Sequence, residues 1–202
     1  MRMPEAVPLV MQLKIELRDI RPLIWRRVLV HGDYTLGNLN SVIRIAMGWN
    51  GMHLHSFWFG SRVNLVEYGD ITSVPNPVPS MLDEDSVTLK EVIRRTRQVF
   101  GYVYDFGDSW VHRIVVERIE PYDGRRKLPV CLAGGRACPP EDCGGAFGYF
   151  SVLRVLKKAS TPDDRTFRQW VGEYDPKWFD VGEVNLAFGH PPRNSAKRRP
   201  TD

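Results

Sequence analysis

Three observations predict an α+β domain with a mainly antiparallel sheet. Short alternating segments dominate residues 10–128, a single amphipathic stretch with helical spacing interrupts them early, and residues 149–188 keep to helical spacing throughout. The order strand, strand, helix, strand, then a helix and two more strands predicts a β-grasp-like sheet wrapping one helix. A C-terminal helical segment is expected beside that sheet.

Each element has a local reason. Val10 to Leu17 (VMQLKIEL) alternates, Asp19 to Pro22 turns the chain, and Ile24 to Val30 (IWRRVLV) reads as the hairpin partner. Thr35 is a helix cap, Leu36, Leu39, Ile43, Ala46 and Met47 share a helical face, and Gly48 stops the run. His53 to Phe59 (HLHSFWF) is aromatic and alternating, which predicts a strand that places His53 and His55 on one face with Phe57 and Phe59. Residues 60–80 read as irregular, with three prolines in SVPNPVPS. Thr88 and Glu91 form a capping box that opens a second helix. VFGYVYDF and SWVHRIVVERI then read as a strand pair around Gly107 and Asp108, and the Gly- and Cys-rich residues 129–148 as a loop. Tyr149, Val152, Leu153 and Leu156 mark a helix, Thr161-Pro162 caps another, and Asp175-Pro176 repeats that device before a short helix ending near Phe188.

The organisation expected is a flexible N-terminus (1–9), a single domain (10–188) and a disordered basic tail (189–202). The domain divides into a sheet part (10–128), the Cys/Gly loop (129–148) and the helical part (149–188). The net charge of +4 resides mainly in the tail, where Arg193, Lys197, Arg198 and Arg199 face only Asp202, so the rest is nearly neutral. A weak, salt-sensitive nucleic-acid contact through the tail is the most this balance offers. No apolar run approaches the ~20 residues that a membrane-spanning helix needs. The absence of a signal-like stretch before Lys14 and Glu16 sets a cytoplasmic expectation.

The segment YDFGDSWVH, residues 104–112, concentrates the candidate chemistry. Read as structure, it is a tight inter-strand turn in which Gly107 takes a positive φ and Asp105 and Asp108 accept hydrogen bonds from turn amides. Trp110, His112, Ile114 and Val116 share one strand face, and Asp108 is close enough in sequence to orient the His112 ring. Read as a site, Tyr104, Asp105, Asp108, Trp110 and His112 line a cleft together with His53 and His55. The three cysteines, Cys131, Cys138 and Cys143, are spaced C-x6-C-x4-C. With His112, or else His53 or His55, as a fourth ligand they make a candidate zinc site, although zinc cysteines more often stand two to four residues apart; alternatively they are small loop residues, and His53 and His55 together are a further candidate metal pair. No nucleophile elbow, phosphate loop or H-E-x-x-H helix is present, so no catalytic residue is assigned.

The pieces LKIELRDIRPLIWRRVLV, TLGNLNSVIRIAMGW, HLHSFWFG, VTLKEVI, FGYVYDFGDSWVHRIVVE and CLAGGRACPPEDCGGAFGY, in this order over about residues 10–188, resemble the plasmid pRiA4b ORF-3-like protein family. The resemblance implies an α+β domain without an established activity. Some members carry labels that tie them to transposon resolvases, which implies a link to mobile genetic elements. Three functions stand on this reading. The first is a non-enzymatic binding or accessory module that takes a protein or small ligand. The second is a zinc-binding domain or metal-dependent enzyme using the Cys loop and histidines. The third is a DNA-binding accessory protein acting through the tail.

Overall fold

The computed structural model describes residues 7–61, 63–73 and 80–190. Eight strands form one sheet in the order β5-β4-β3-β6-β7-β1-β2-β8. The strands are β1 (Leu9–Leu17), β2 (Trp25–His31), β3 (His55–Phe59), β4 (Val66–Gly69), β5 (Met81–Asp83), β6 (Val99–Tyr104), β7 (Trp110–Pro121) and β8 (Val130–Gly135). All pairings are antiparallel except β4–β5. The mainly antiparallel α+β fold expected from the sequence is the fold observed.

Alternation decides which face is buried. Met11, Leu13, Ile15 and Leu17 of β1 point inward beside Val28 and Val30 of β2 and Trp110, Ile114 and Val116 of β7. Helix α1 (Leu36–Met47) lies against this face through Leu36, Leu39, Val42, Ile43, Ala46 and Met47. Each such buried aliphatic side chain stabilises the fold by roughly 1.5–3 kcal/mol. Thr35 Oγ1 accepts from the Asn38 amide at 3.1 Å, and Asn38 Oδ1 accepts from the Thr35 amide at 3.1 Å, which satisfies two helix-end donors. The opposite sheet face carries ion pairs in place of a second layer, such as Arg27–Glu117 at 2.6 Å and Arg113–Glu16 at 2.9 Å.

Helix α2 (Leu89–Val92) has the expected Thr88–Glu91 box but lasts one turn, because Ile93 turns extended and is buried against the core. The C-terminal part holds α3 (Gly145–Lys157), α4 (Pro162–Val171) and α5 (Val181–Ala187). Arg154 and Asp164, 2.8 Å apart, join α3 to α4. The last helix is capped by Asp180, which accepts from the Glu183 amide at 2.9 Å, and not by Asp175. Among the described residues no helix is long and apolar enough to cross a membrane.

Two stretches expected to be irregular are partly regular. Residues 129–148 contain β8, an edge strand whose Gly and Cys content hides its alternation, and the first residues of α3. Asn185 of α5 covers the β8 edge: its Oδ1 accepts from the Cys131 amide at 2.8 Å and its Nδ2 donates to the Cys131 carbonyl at 3.0 Å. Residues 60–80 contain β4, while most of the proline run (74–79) lies outside the described residues, as do residues 1–6 and the tail beyond His190.

Arg26, at an inward-facing position of β2, is 2 % exposed. Its Nε donates to the Ala46 carbonyl at the end of α1 at 2.7 Å, and Nη1 donates to Trp25 O at 2.8 Å and Gly135 O at 3.2 Å. Nη2 donates to Cys138 Sγ at 3.5 Å, and the Phe179 ring covers the guanidinium at 4.2 Å. One side chain thus joins β2, α1, β8 and the following loop. Arg26→Lys keeps the charge and loses the fork, so urea denaturation should show a loss of about 2–4 kcal/mol; a change under about 0.5 kcal/mol would contradict this role.

Candidate functional site

The turn between β6 and β7 is built by Asp105. Its Oδ1 accepts from the Gly107 amide at 2.9 Å and the Asp108 amide at 3.2 Å, and the Ser109 amide donates to its carbonyl at 2.6 Å. Asp105 (φ 59°) and Ser109 (φ 55°) are the left-handed positions, so the expectation that Gly107 takes a positive φ is corrected. An Asp tolerates that region because its short side chain bonds the local amides, as it does here.

The Asp105 amide donates to the Leu54 carbonyl at 2.8 Å, which draws the segment before β3 onto the turn. His53 therefore sits outside β3, in that approach segment, with Nδ1 at 3.6 Å from Asp105 Oδ2. From the other side comes the loop between β8 and α3. Its Gly144 amide donates to Asp108 Oδ2 at 3.2 Å, and Gly145, at φ 65°, approaches so closely that a Cβ there would lie 2.5 Å from the Asp108 carbonyl oxygen. This clamp carries Asp142 to the site, where its Oδ1 lies 3.3 Å from His53 Nε2. One donor atom from each of His53, Asp105 and Asp142 lies within 4.8 Å of the others, and among the described residues this is the one group of three potential metal ligands. The exposure gradient runs from Asp105, 11 %, through His53, 26 %, to Asp142, 72 %, so the cluster opens outward.

His53 also lines a polar cleft of about 450 Å³ shared with His55, Asn40, Arg44, Asp70 and Glu84. In its wall His55 Nε2 and Glu84 Oε2 meet at 2.7 Å, both nearly buried. Tyr102 donates to Asn40 Oδ1 at 2.7 Å. Tyr104 donates to Glu141 Oε1 at 2.6 Å and accepts from the Gly51 amide at 3.1 Å. Burial and the Glu141 carboxylate hold the Tyr104 hydroxyl well above its ordinary pKa, so it is a donor at any physiological pH.

The remaining expected site residues divide between this cluster and the core. His53 and His55 reach one cleft, Asp105 reaches it through His53, and Asp108 acts through its bond to Gly144. Tyr104 and Trp110 are corrected from the cleft to the core, and of the two places open to His112 it takes the core; the three are 0 %, 2 % and 1 % exposed. Trp49 stacks on Tyr104 at 4.8 Å and meets His112 edge-on at 5.4 Å. Asp108 does not orient His112, whose two ring nitrogens have no hydrogen-bond partner among the described residues, nor has Trp110 Nε1. The cysteines do not assemble with His112 into a zinc site. Cys131 Sγ turns to the Ala133 carbonyl, Cys138 Sγ lies 2.9 Å from Met47 Sδ, and Cys143 Sγ faces the Gly145 carbonyl. Burial pushes the Cys131 and Cys138 thiols up to about 11. Burial and the nearby Asp108 carboxylate push Cys143 up to about 12, so all three are neutral thiols in the metal-free protein.

Asp142, Glu84, Glu141 and Arg26 were not visible as site or staple residues in the sequence. The Glu141-Asp142 pair ahead of Cys143 was the available signal for the first. Its distance along the chain from His53 and Asp105 left no spacing motif to read.

Sheet, packed helix and helical C-terminal part define an α+β protein with a nitrogen- and oxygen-donor cluster at one end of its central hairpin. The family model for plasmid pRiA4b ORF-3-like protein matches residues 9–183, and the chain belongs to that family. It is 32 % identical over 184 residues to the "Uncharacterized protein y4hQ" of Sinorhizobium fredii (strain NBRC 101917 / NGR234), covering 88 % of this chain and 90 % of that protein. It is also similar to the crystal structure of the protein of unknown function MM3350 from Methanosarcina mazei Go1. The TM-score is 0.75 at 32 % identity, covering 87 % of this chain and 97 % of that one.

His112 makes the fold acid-sensitive. Burial drives its pKa from 6.5 down to about 3 in the folded state. Between those pH values the unfolded chain binds a proton that the folded chain refuses, so the contribution is fully present above about 6.5 and is lost as pH falls toward 3. The slope for this one group approaches about 1.4 kcal/mol per pH unit. In denaturation measured across that window, His112→Leu should show a shallower acid loss than the wild type; identical slopes would contradict a neutral buried imidazole.

Proposed function

We propose that the protein is a binding module whose ligand is a divalent transition-metal ion held by His53, Asp105 and Asp142. The observation that supports this reading is the convergence of three donors from three separated segments within 4.8 Å. One imidazole and two carboxylates suit Zn2+, Mn2+ or Fe2+ better than a soft-metal site, which would call on thiolates. Three protein donors leave coordination positions free on the outward side, next to the polar cleft. In this reading the Cys/Gly loop contributes Asp142 and the backbone clamp, while its cysteines pack the core beneath.

One observation favours a second reading, a metal-dependent enzyme: the His55–Glu84 pair presents an imidazole steadied by a carboxylate in the same cleft, the arrangement of a general base. Under that reading Glu84→Gln removes turnover of a hydrolysable substrate and leaves metal affinity unchanged.

The test is a titration of chelator-stripped, untagged protein with Mn2+ and Zn2+, read by calorimetry and elemental analysis. The expected result is one ion per chain, with affinity weakened at least about tenfold by His53→Ala and Asp142→Asn and unchanged by Cys138→Ser. Asp142 is largely exposed, so its variant folds whatever happens at Asp105. Less than about 0.2 ion per chain, or loss of binding in the cysteine variant alone, would overturn the assignment.

A further inference from the structure

We propose that a second cleft, at the C-terminal end of α1, binds an arginine-bearing peptide segment of a partner protein. The cleft measures about 540 Å³ and lies between that helix end, the loop around Ala137–Glu141 and the chain from Val171 to Ala187. Its aromatic walls are Trp49, Tyr174, Trp178 and Phe179, and the carboxylate-bearing residues around it are Glu141, Glu173, Asp180 and Glu183.

Charge is what selects the occupant. Arg26 is the single basic residue lining the cleft, and it is withdrawn from it: buried, engaged by three carbonyls and a sulfur, and roofed by Phe179. The four acids, by contrast, have no lysine or arginine partner among the described residues. Glu141 accepts from Tyr104 and the Asn50 amide, Asp180 caps α5, and Glu183 accepts from the Trp178 indole at 3.2 Å. Glu173 is exposed and makes no side-chain hydrogen bond among the described residues. Carboxylates gathered without counter-charge favour a cation placed among them and disfavour an anion.

The aromatic walls narrow the cation to a guanidinium. Arg26 on Phe179 already displays that stack in this fold, and Trp178, 55 % exposed, offers another ring that carries no cation among the described residues. A guanidinium lies flat on a ring while its fork bonds a carboxylate; an ammonium makes a point contact only. The cleft also includes Ile45, Met47 and Val171, so apolar neighbours of the arginine find cover. This volume is in the range of pockets that enclose several groups, which matches an extended segment better than a lone amine.

The experiment titrates the full chain with a short acetylated peptide carrying three arginines, followed by calorimetry and tryptophan fluorescence, with the citrulline counterpart as a neutral control. Saturable, salt-sensitive binding of the arginine peptide alone is expected. The double variant Glu173→Gln, Glu183→Gln and the single variant Trp178→Ala should each weaken it about tenfold or more. All three side chains are exposed, so these variants keep the fold. Equal binding of the citrulline peptide, or affinity unchanged in the variants, would overturn the proposal. A third chain, with Arg193, Lys197, Arg198 and Arg199 changed to Ser, should bind the peptide as the wild type does. Tighter binding there would assign the cleft to the chain's own basic segment and overturn the partner.

Discussion

The close backbone approach of Gly145 to the Asp108 carbonyl is the constraint on which the rest depends. Any side chain at position 145 would need to sit 2.5 Å from that oxygen and adopt a φ of 65°. With glycine there, the loop after β8 can seat on the β6–β7 turn, and the Gly144 amide reaches Asp108 Oδ2. Asp142 then stands opposite His53, while Cys143 closes over the core as Tyr149 enters it from α3. A turn fixed by Asp105 and a loop fixed by Gly145 meet like two halves of a clasp, with the donor cluster at the join.

Beneath the clasp the buried polar groups behave in opposite ways. Arg26 is satisfied by carbonyls and a sulfur at every turn of its fork, so its burial is compensated and it works as a joint between layers. His112 and Trp110 are buried beside it, and no side-chain hydrogen bond reaches the His112 ring nitrogens or the Trp110 indole among the described residues. Trp110 stacks with Trp49, and His112 meets Trp49 edge-on and Tyr102 at a tilt. Tyr104 then connects this aromatic floor to the rim, since its hydroxyl bonds Glu141 in the same loop as Asp142. Trp49, just past the end of α1, does the same through its indole bond to the Pro139 carbonyl at 3.1 Å. Stability of the core and geometry of the site are therefore coupled through a few aromatic side chains.

Much of the fold was legible because its central elements obey local rules. Alternation marks β1, β2 and β7, the spacing of Leu36, Leu39 and Ile43 marks α1, and the caps at Thr35, Thr88 and Thr161 mark helix starts. Where tertiary contacts override local rules the sequence misleads. Glycine and cysteine in β8 conceal a strand whose edge is satisfied by Asn185, and Gly107 draws attention from Asp105, which takes the left-handed conformation. The core position of His112 follows from strand alternation. The donor cluster joins residues about fifty, one hundred and one hundred and forty along the chain, so only the folded backbone reveals it. Cysteines invite a zinc reading by composition, yet the fold turns their sulfurs to separate core partners.

The central claim is that the clasp places His53, Asp105 and Asp142 around one cation. Anomalous diffraction from crystals soaked in Mn2+, collected at the manganese edge, tests it without reference to any activity. A single strong peak at about 2.0–2.3 Å from one His53 nitrogen and from an oxygen of each carboxylate is the predicted result. A featureless map at these residues, or a peak seated among Cys131, Cys138 and Cys143, would contradict it.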